Sequence, residues 1–304
     1  MTKPKRHHWW PLVQSKHWTD TSGLVNVVRS DGTIFRANPL NLGVESELYT
    51  RFGPNDEKDA AIEEWFAATI DSPTAELIEH ITNRSHWRRR RYDGDAREAA
   101  TVRELGWLTP GYLDAIPIPP QVRIAAARYI AALLVRHPLY LEKLVNFHKE
   151  PELDSKATKN RALDNMLNVF NIYVERLLSS VIMVSWRAGS SEFLYSDGGI
   201  TVTEPWRPDI PFDIHAPITP DFALEFLPVP NPTHLDEAIV MEAKNQGVAR
   251  QNRIILADAN RFVFSRQSPP VSFIKKNFGV PAPENIGYRY VNGQLETIYD
   301  PTRK

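Results

Sequence analysis

The stretch from Pro119 to Trp186 constrains this chain most. Between Val122 and Val135 nearly every residue is apolar, and only Arg123 and Arg128 interrupt the run. A helix apolar on most of its faces has to be buried on most of them, so the rest of the chain must pack around it. Pro119 and Pro120 fix its entry, because a proline's missing N–H has no helical partner in the first turn. The run is too short and too charged for a membrane span, which needs about 20 residues. His137-Pro138 closes it, since the residue before a proline avoids the helical region. A second helix is expected from about Lys159 to Val184. There Leu163, Met166, Leu167, Phe170, Val174, Leu177, Leu178 and Val181 recur on one helical face, and such a stripe reads as core.

At 304 residues the chain buries a core without covalent staples. Its 36 basic and 37 acidic side chains nearly cancel, so bulk charge points to no polyanionic partner. It has no cysteine, which excludes disulfides, thiol nucleophiles and Cys-ligated metal centres. The basic and then aromatic start, Met1 to Trp10, is not followed by an apolar secretory segment, and a cytoplasmic location is expected.

The remaining elements come in order. Leu24–Arg29 and Thr33–Arg36 flank Ser30-Asp31-Gly32, a hairpin signal. A helix is expected from about Asp56, lined by Ile62, Trp65, Phe66 and Ile70. Pro73 breaks or kinks it, with Ser72 and Pro73 as N-cap and first residue of a continuation to about Asn83. Leu105–Ile118 is a Pro/Gly-rich connector, the best place for a domain boundary. Neither side looks complete alone, so a single composite domain over 1–304 is expected. Phe193–Tyr195 and Ile200–Val202 read as short strands around the turn Ser196-Asp197-Gly198-Gly199. Apolar segments follow at Phe222–Val229 and Ala238–Met241, then a helix from Gln246 and a strand at Phe262–Phe264. Tyr288–Tyr299, with Asn292-Gly293 inside it, is a hairpin expected to add an edge to the sheet. The expected class is α+β: a helical central scaffold with short antiparallel β-hairpins near both ends and after the second central helix.

His8-Trp9-Trp10-Pro11, with Trp18 seven residues on, resembles the opening His-x-x-Pro…aromatic pattern of domain-of-unknown-function family 4238, an uncharacterised bacterial family. Later landmarks resemble it in order: Glu47-Leu48-Tyr49, Ile62-Glu63, Ile70-Asp71, Arg136-His137-Pro138, Phe193 to Asp197, and Asn252 with Arg261-Phe262-Val263. The chain departs from the pattern at Gly198-Gly199, where the family has a residue and proline, and at Asp71, where it prefers Glu. The resemblance implies one composite fold and a set of candidate positions; the family carries no activity.

Two constellations could carry chemistry. The first joins His8, Glu63, Asp71 and Asp197. Histidine titrates near neutrality, and carboxylates orient an imidazole or hold a hard cation. A satisfied structural network explains the same residue types, and Asp197-Gly198-Gly199 is also what a tight turn needs. The second is Pro220-Asp221 with Glu242-Ala243-Lys244, similar to the Pro-Asp…Glu-x-Lys signature of restriction-endonuclease-like folds. That resemblance implies Asp221 and Glu242 as Mg²⁺ ligands and Lys244 beside the attacking water. Arg88, Arg89, Arg90 and Arg91, between Trp87 and Tyr92, are candidates for contacting nucleic acid, although Asp93, Asp95 and Glu98 offer local pairing. Phosphate-loop, dinucleotide-binding, zincin and serine-elbow motifs are absent. The expected function is a metal-assisted hydrolase of nucleic-acid phosphodiesters, using Mg²⁺ or Mn²⁺. The competing expectation is a non-catalytic binding protein whose His8 and Asp197 are structural.

Overall fold

The computed structural model describes residues 6–55, 57–91, 112–202, 214–227, 235–281, 285–291 and 294–299. The chain opens with β1 (Arg6–His8), the short α1 (Leu12–Ser15), and the hairpin β2 (Val25–Arg29) and β3 (Ile34–Ala37), as its Asp31-Gly32 turn requires. β4 (Val44–Ser46) pairs back onto β1, and β5 (Arg51–Phe52) pairs with β6 (Lys58–Asp59). α2 (Ala61–Phe66) leads through one wide π turn, Ala67–Asp71, into α3 (Ser72–Thr82). The helix is therefore not broken at Pro73. The widened turn lets Ser72 N–H bond the Ala67 carbonyl, and the chain stays helical past the proline.

β7 (Arg88–Arg91) and β8 (Tyr112–Pro117) come next. The end of the expected connector is thus a strand, while its first part lies outside the described residues. α4 (Pro120–Val135) is the apolar helix, with Tyr129, Ile130, Ala131 and Ala132 wholly buried. α5 (Pro138–Phe147) starts at once, because the His137 side chain accepts the Leu139 N–H as its N-cap. α6 (Ser155–Leu178) begins on Asp154, whose carboxylate accepts the Ala157 N–H at 2.7 Å. It ends before Val181. The expected helical tail is instead β9 (Val181–Arg187), since Val-Ile-Met-Val is β-branched and sits past the helix-ending Ser179-Ser180.

β10 (Tyr195–Ser196), β11 (Thr201–Val202), β12 (Ile214–Thr219), β13 (Phe222–Leu227) and β14 (Glu237–Ala243) follow, then α7 (Asn245–Ala257), β15 (Phe262–Ser265) and α8 (Val271–Asn277). β16 (Asn285–Val291) and β17 (Gln294–Tyr299) form the expected hairpin, as a two-stranded sheet of their own. Their Asn292-Gly293 turn lies outside the described residues.

The class is α+β. A seven-stranded sheet runs β11-β12-β13-β9-β14-β8-β7, and a four-stranded sheet runs β10-β15-β2-β3. The larger sheet is mixed rather than purely antiparallel, because β9 and β14 pair in parallel. One of its faces gives Ile116, Ile182, Val184, Leu224, Phe226 and Val240 to the core shared with the helices. The other face carries Ala223 and Ala243 under Val248 of α7 and Phe193.

The Ser196-Asp197-Gly198-Gly199 turn does not close a hairpin. β10 before it pairs with β15 in the four-stranded sheet, and β11 after it pairs with β12 in the seven-stranded sheet. The turn carries the chain from one sheet to the other. Gly199 takes φ +78°, and Gly198 lies so close to the Asp258 carbonyl that an added Cβ would stand 1.9 Å from its oxygen. Among the described residues no helix is long and apolar enough to cross a membrane.

Candidate acid–base site

Glu63 and Asp71 are eight residues apart on one helical stretch. In a regular α-helix they would diverge by roughly 80°, at about 100° per residue. The wide turn at Ala67–Asp71 takes up one residue. The effective separation becomes seven, or about 20°, and both carboxylates meet the same neighbours.

Those neighbours are Arg136 and His8. Arg136, just past α4, is wholly buried. Its Nη1 donates to Asp71 Oδ1 at 2.6 Å, and its Nη2 donates to the His8 carbonyl at 2.7 Å. Its guanidinium lies 4.5 Å from the centre of the Phe66 ring, and its own carbonyl accepts the Tyr49 hydroxyl at 2.5 Å. Burial opposes the guanidinium charge, but Asp71, Tyr49 and Glu63 together outweigh it and hold the group protonated above its ordinary range.

His8 and Glu63 are displaced in opposite directions. Burial pushes the His8 imidazole below its ordinary 6.5; the Leu40 carbonyl, as hydrogen-bond acceptor, partly offsets this, while Arg136 adds to it. Burial pushes the Glu63 carboxyl above its ordinary 4.5, against the pull of Arg136 and of the His8 backbone N–H that bonds it. Each has one buried polar atom without a hydrogen-bond partner among the described residues, His8 Nε2 and Glu63 Oε2. Buried polar atoms of native proteins are mostly paired. Of the two His8 ring nitrogens, Nε2 is the buried one without a partner among the described residues.

Asp197 is elsewhere and fully committed. It is buried, and its carboxylate accepts the N–H groups of Asn260, Arg261 and Phe262 at 2.9 to 3.0 Å, fastening the start of β15. Its carbonyl accepts from His137 Nε2. The structure brings His8, Glu63 and Asp71 together and leaves Asp197 out, as the cap of a strand.

Asp221, Glu242 and Lys244 are not brought together. Trp186 on β9 pairs with Phe222 on one side and Glu242 on the other. Side chains alternate along strands, so Glu242 shares a face with Trp186, and Asp221 shares the opposite face with Arg187. Asp221 is held there by Arg187 Nε and by both terminal nitrogens of Arg266 at 2.8 Å. These guanidiniums keep its carboxyl below the ordinary carboxylate range despite burial. Glu242 and Lys244 are exposed.

A divalent cation fits neither constellation. Asp71 is neutralised by a buried guanidinium, Asp221 by two more, and no group of three His, Cys, Asp or Glu among the described residues could hold a metal ion.

Of the arginine run, Arg88 and Arg89 are exposed on β7, the last strand of the seven-stranded sheet. Arg89 Nη1 lies 3.7 Å from Asp114 Oδ1.

Arg136 stands in the sequence pattern only as a landmark, and Tyr129 only as one more residue of an apolar helix. Tyr129 precedes Arg136 by two helical turns on the same face, is wholly buried, and its hydroxyl has no partner among the described residues. Burial, then Tyr195 and Asp71, push its phenol well above the ordinary range. The available signal was the pair itself: a tyrosine inside the most apolar helix and an arginine at its end. The chain matches no protein-family model, no curated protein and no solved structure.

Proposed function

We propose that this chain is a metal-independent hydrolase of nucleic-acid phosphodiesters, with RNA as its substrate and His8 and Glu63 as its proton carriers. One observation carries this reading: two titratable groups that share Arg136 as a neighbour, an imidazole displaced downward and a carboxyl displaced upward, each with an unpartnered buried atom. A carboxyl raised toward neutrality can hold a proton to give, and an imidazole kept neutral by burial can accept one. RNA supplies its own nucleophile, so this route needs no metal-bound water. Neutral His8 Nε2 takes the proton of the 2′-hydroxyl, whose oxygen attacks phosphorus. The P–O5′ bond breaks, and the Glu63 carboxyl gives its proton to the departing oxygen. A 2′,3′-cyclic phosphate forms, and water opens it with the two roles reversed. Arg136 is buried behind the pair, where it orients Asp71 and the His8 backbone and adds positive potential.

The test is cleavage in EDTA of a single-stranded RNA and a DNA of the same sequence. RNA cut to cyclic-phosphate ends, with DNA intact, is the expected result. His8→Ala and Glu63→Gln should each slow it by at least about 10²-fold. Cutting that requires added Mg²⁺, cutting that survives both variants, or no cutting by folded protein would each refute the reading.

A second reading has its own support. Asp197 is fully occupied by backbone N–H groups, and Asp221 by two arginines, as expected of a binding protein whose polar network is structural. It predicts nucleic-acid or protein binding without turnover.

A further inference from the structure

The outermost strand of the large sheet, β7, is built differently from an ordinary sheet edge. It consists of Arg88, Arg89, Arg90 and Arg91 in sequence, and it pairs through that whole length with β8 on its inner side. Arg88 and Arg89 are both exposed, and alternation along the strand sends them to opposite faces of the sheet. Positive charge therefore wraps the edge rather than lining one face. Arg84, exposed and just ahead of the strand, lies 4.2 Å from the Trp186 ring centre and 5.1 Å from that of Trp87. The two indoles are 5.9 Å apart, and Trp87 Nε1 is tied to the Ile81 carbonyl at 3.3 Å. Among the described residues, acidic side chains near this edge include Asp114 beside Arg89 and the exposed Glu242 across from Trp186.

We infer that β7 and the Arg84–Trp87–Trp186 platform next to it bind a single-stranded polynucleotide, its backbone following the strand edge. The inference rests on the RNA reading for its substrate but not for its binding. Alternate residues of a strand are about 6.7 Å apart, comparable with successive phosphates of an extended single strand. A polyphosphate meets charge on both faces of an edge. An added peptide strand would need acidic side chains alternating to match both faces. Base stacking on guanidinium and indole surfaces requires unpaired bases, which a duplex does not offer.

The test is fluorescence anisotropy of a labelled single-stranded oligouridylate at increasing salt, with the full chain carrying His8→Ala so that no cutting intervenes. The comparison protein carries Arg88→Gln and Arg89→Gln in addition. Both arginines are exposed and the Arg89–Asp114 pair lies at the surface, so a thermal melt should shift by no more than about 2 °C. Expected results are at least about tenfold weaker binding and a salt slope smaller by about 1.4, two phosphate contacts at roughly 0.7 each. A duplex of equal length should bind more weakly, and polyglutamate should fail to compete. Equal affinity and slope in the two proteins, or competition by polyglutamate as strong as by unlabelled RNA, would overturn the inference. Binding with these properties by a protein that cuts no RNA would keep it and remove only the catalytic reading.

Discussion

Asp71 Oδ1 accepts a hydrogen bond from Arg136 Nη1 at 2.6 Å, joining the widened turn of one helix to the end of another. The arginine is wholly buried and the carboxylate side chain is 27% exposed. Removing one partner of such a pair strands a charge in a low-dielectric interior. Asp71→Asn should therefore cost about 3 kcal/mol of stability, read by urea unfolding. Arg136→Met, which removes the charge together with the need for its partner, should cost less when combined with Asp71→Asn than the sum of the two single changes. Additive losses would show that the pair is not coupled.

His8 and Glu63 make opposite contributions to stability against pH. The Glu63 carboxyl is raised above 4.5 in the folded chain, so its contribution is full below pH 4.5 and is lost as pH climbs through the folded value. The His8 imidazole is lowered below 6.5, so its contribution is full above pH 6.5 and is lost as pH falls through its folded value. Glu63→Gln should raise Tm at pH 8 by about 3 °C and leave it unchanged at pH 4. His8→Gln should change Tm more favourably at pH 5 than at pH 8. A shift of equal size at every pH, measured by calorimetry, would mean that neither group is displaced.

Asp197→Ala should destabilise without touching proton transfer. Three backbone N–H groups lose a charged acceptor at the entry of β15, a loss of about 3 kcal/mol. RNA cleavage per folded molecule should stay within about twofold of the parent. A selective loss of turnover with an unchanged melt would place Asp197 in the chemistry after all.

Gly198→Ala should be more damaging than Gly199→Ala, although only Gly199 has a positive φ. At Gly198 the new Cβ would strike the Asp258 carbonyl, which is backbone and cannot step aside. At Gly199 the nearest atom is His137 Cδ2 at 3.4 Å, and the cost is that of the left-handed conformation, about 1 kcal/mol. Soluble yield and Tm of the two variants, made side by side, check the order.

Much of the helical layer was legible in the sequence because its causes are local. The apolar run of α4, its proline entry and the Asp31-Gly32 hairpin each follow from neighbours in the chain. Pro73 misled because a missing N–H reads as a break, whereas one widened turn absorbs it, and that same turn aligns Glu63 with Asp71. Val181 and Val184 misled because their spacing also fits a helix, and only pairing with β13 and β14 makes them a strand. His8, Glu63 and Asp71 were expected together with Asp197, and the first three do gather around Arg136. The separation of Asp197 from them was not legible, because its partners at Asn260–Phe262 lie more than sixty residues downstream.

The large sheet also sets an order of events in time. β8 is made early in the chain, yet it pairs inward with β14, about 120 residues later. Such distant pairings form slowly, after local structure. A chain emerging from the ribosome carries β7 and β8 without their inner neighbour until β14 has been synthesised. Through that interval the inner edge of β8 stands open, while the exposed Arg88 and Arg89 of β7 put charge on the outer edge, which discourages pairing with other chains there. The order of synthesis thus leaves only one of the two edges of this strand pair without charge of that kind while it waits for its partner.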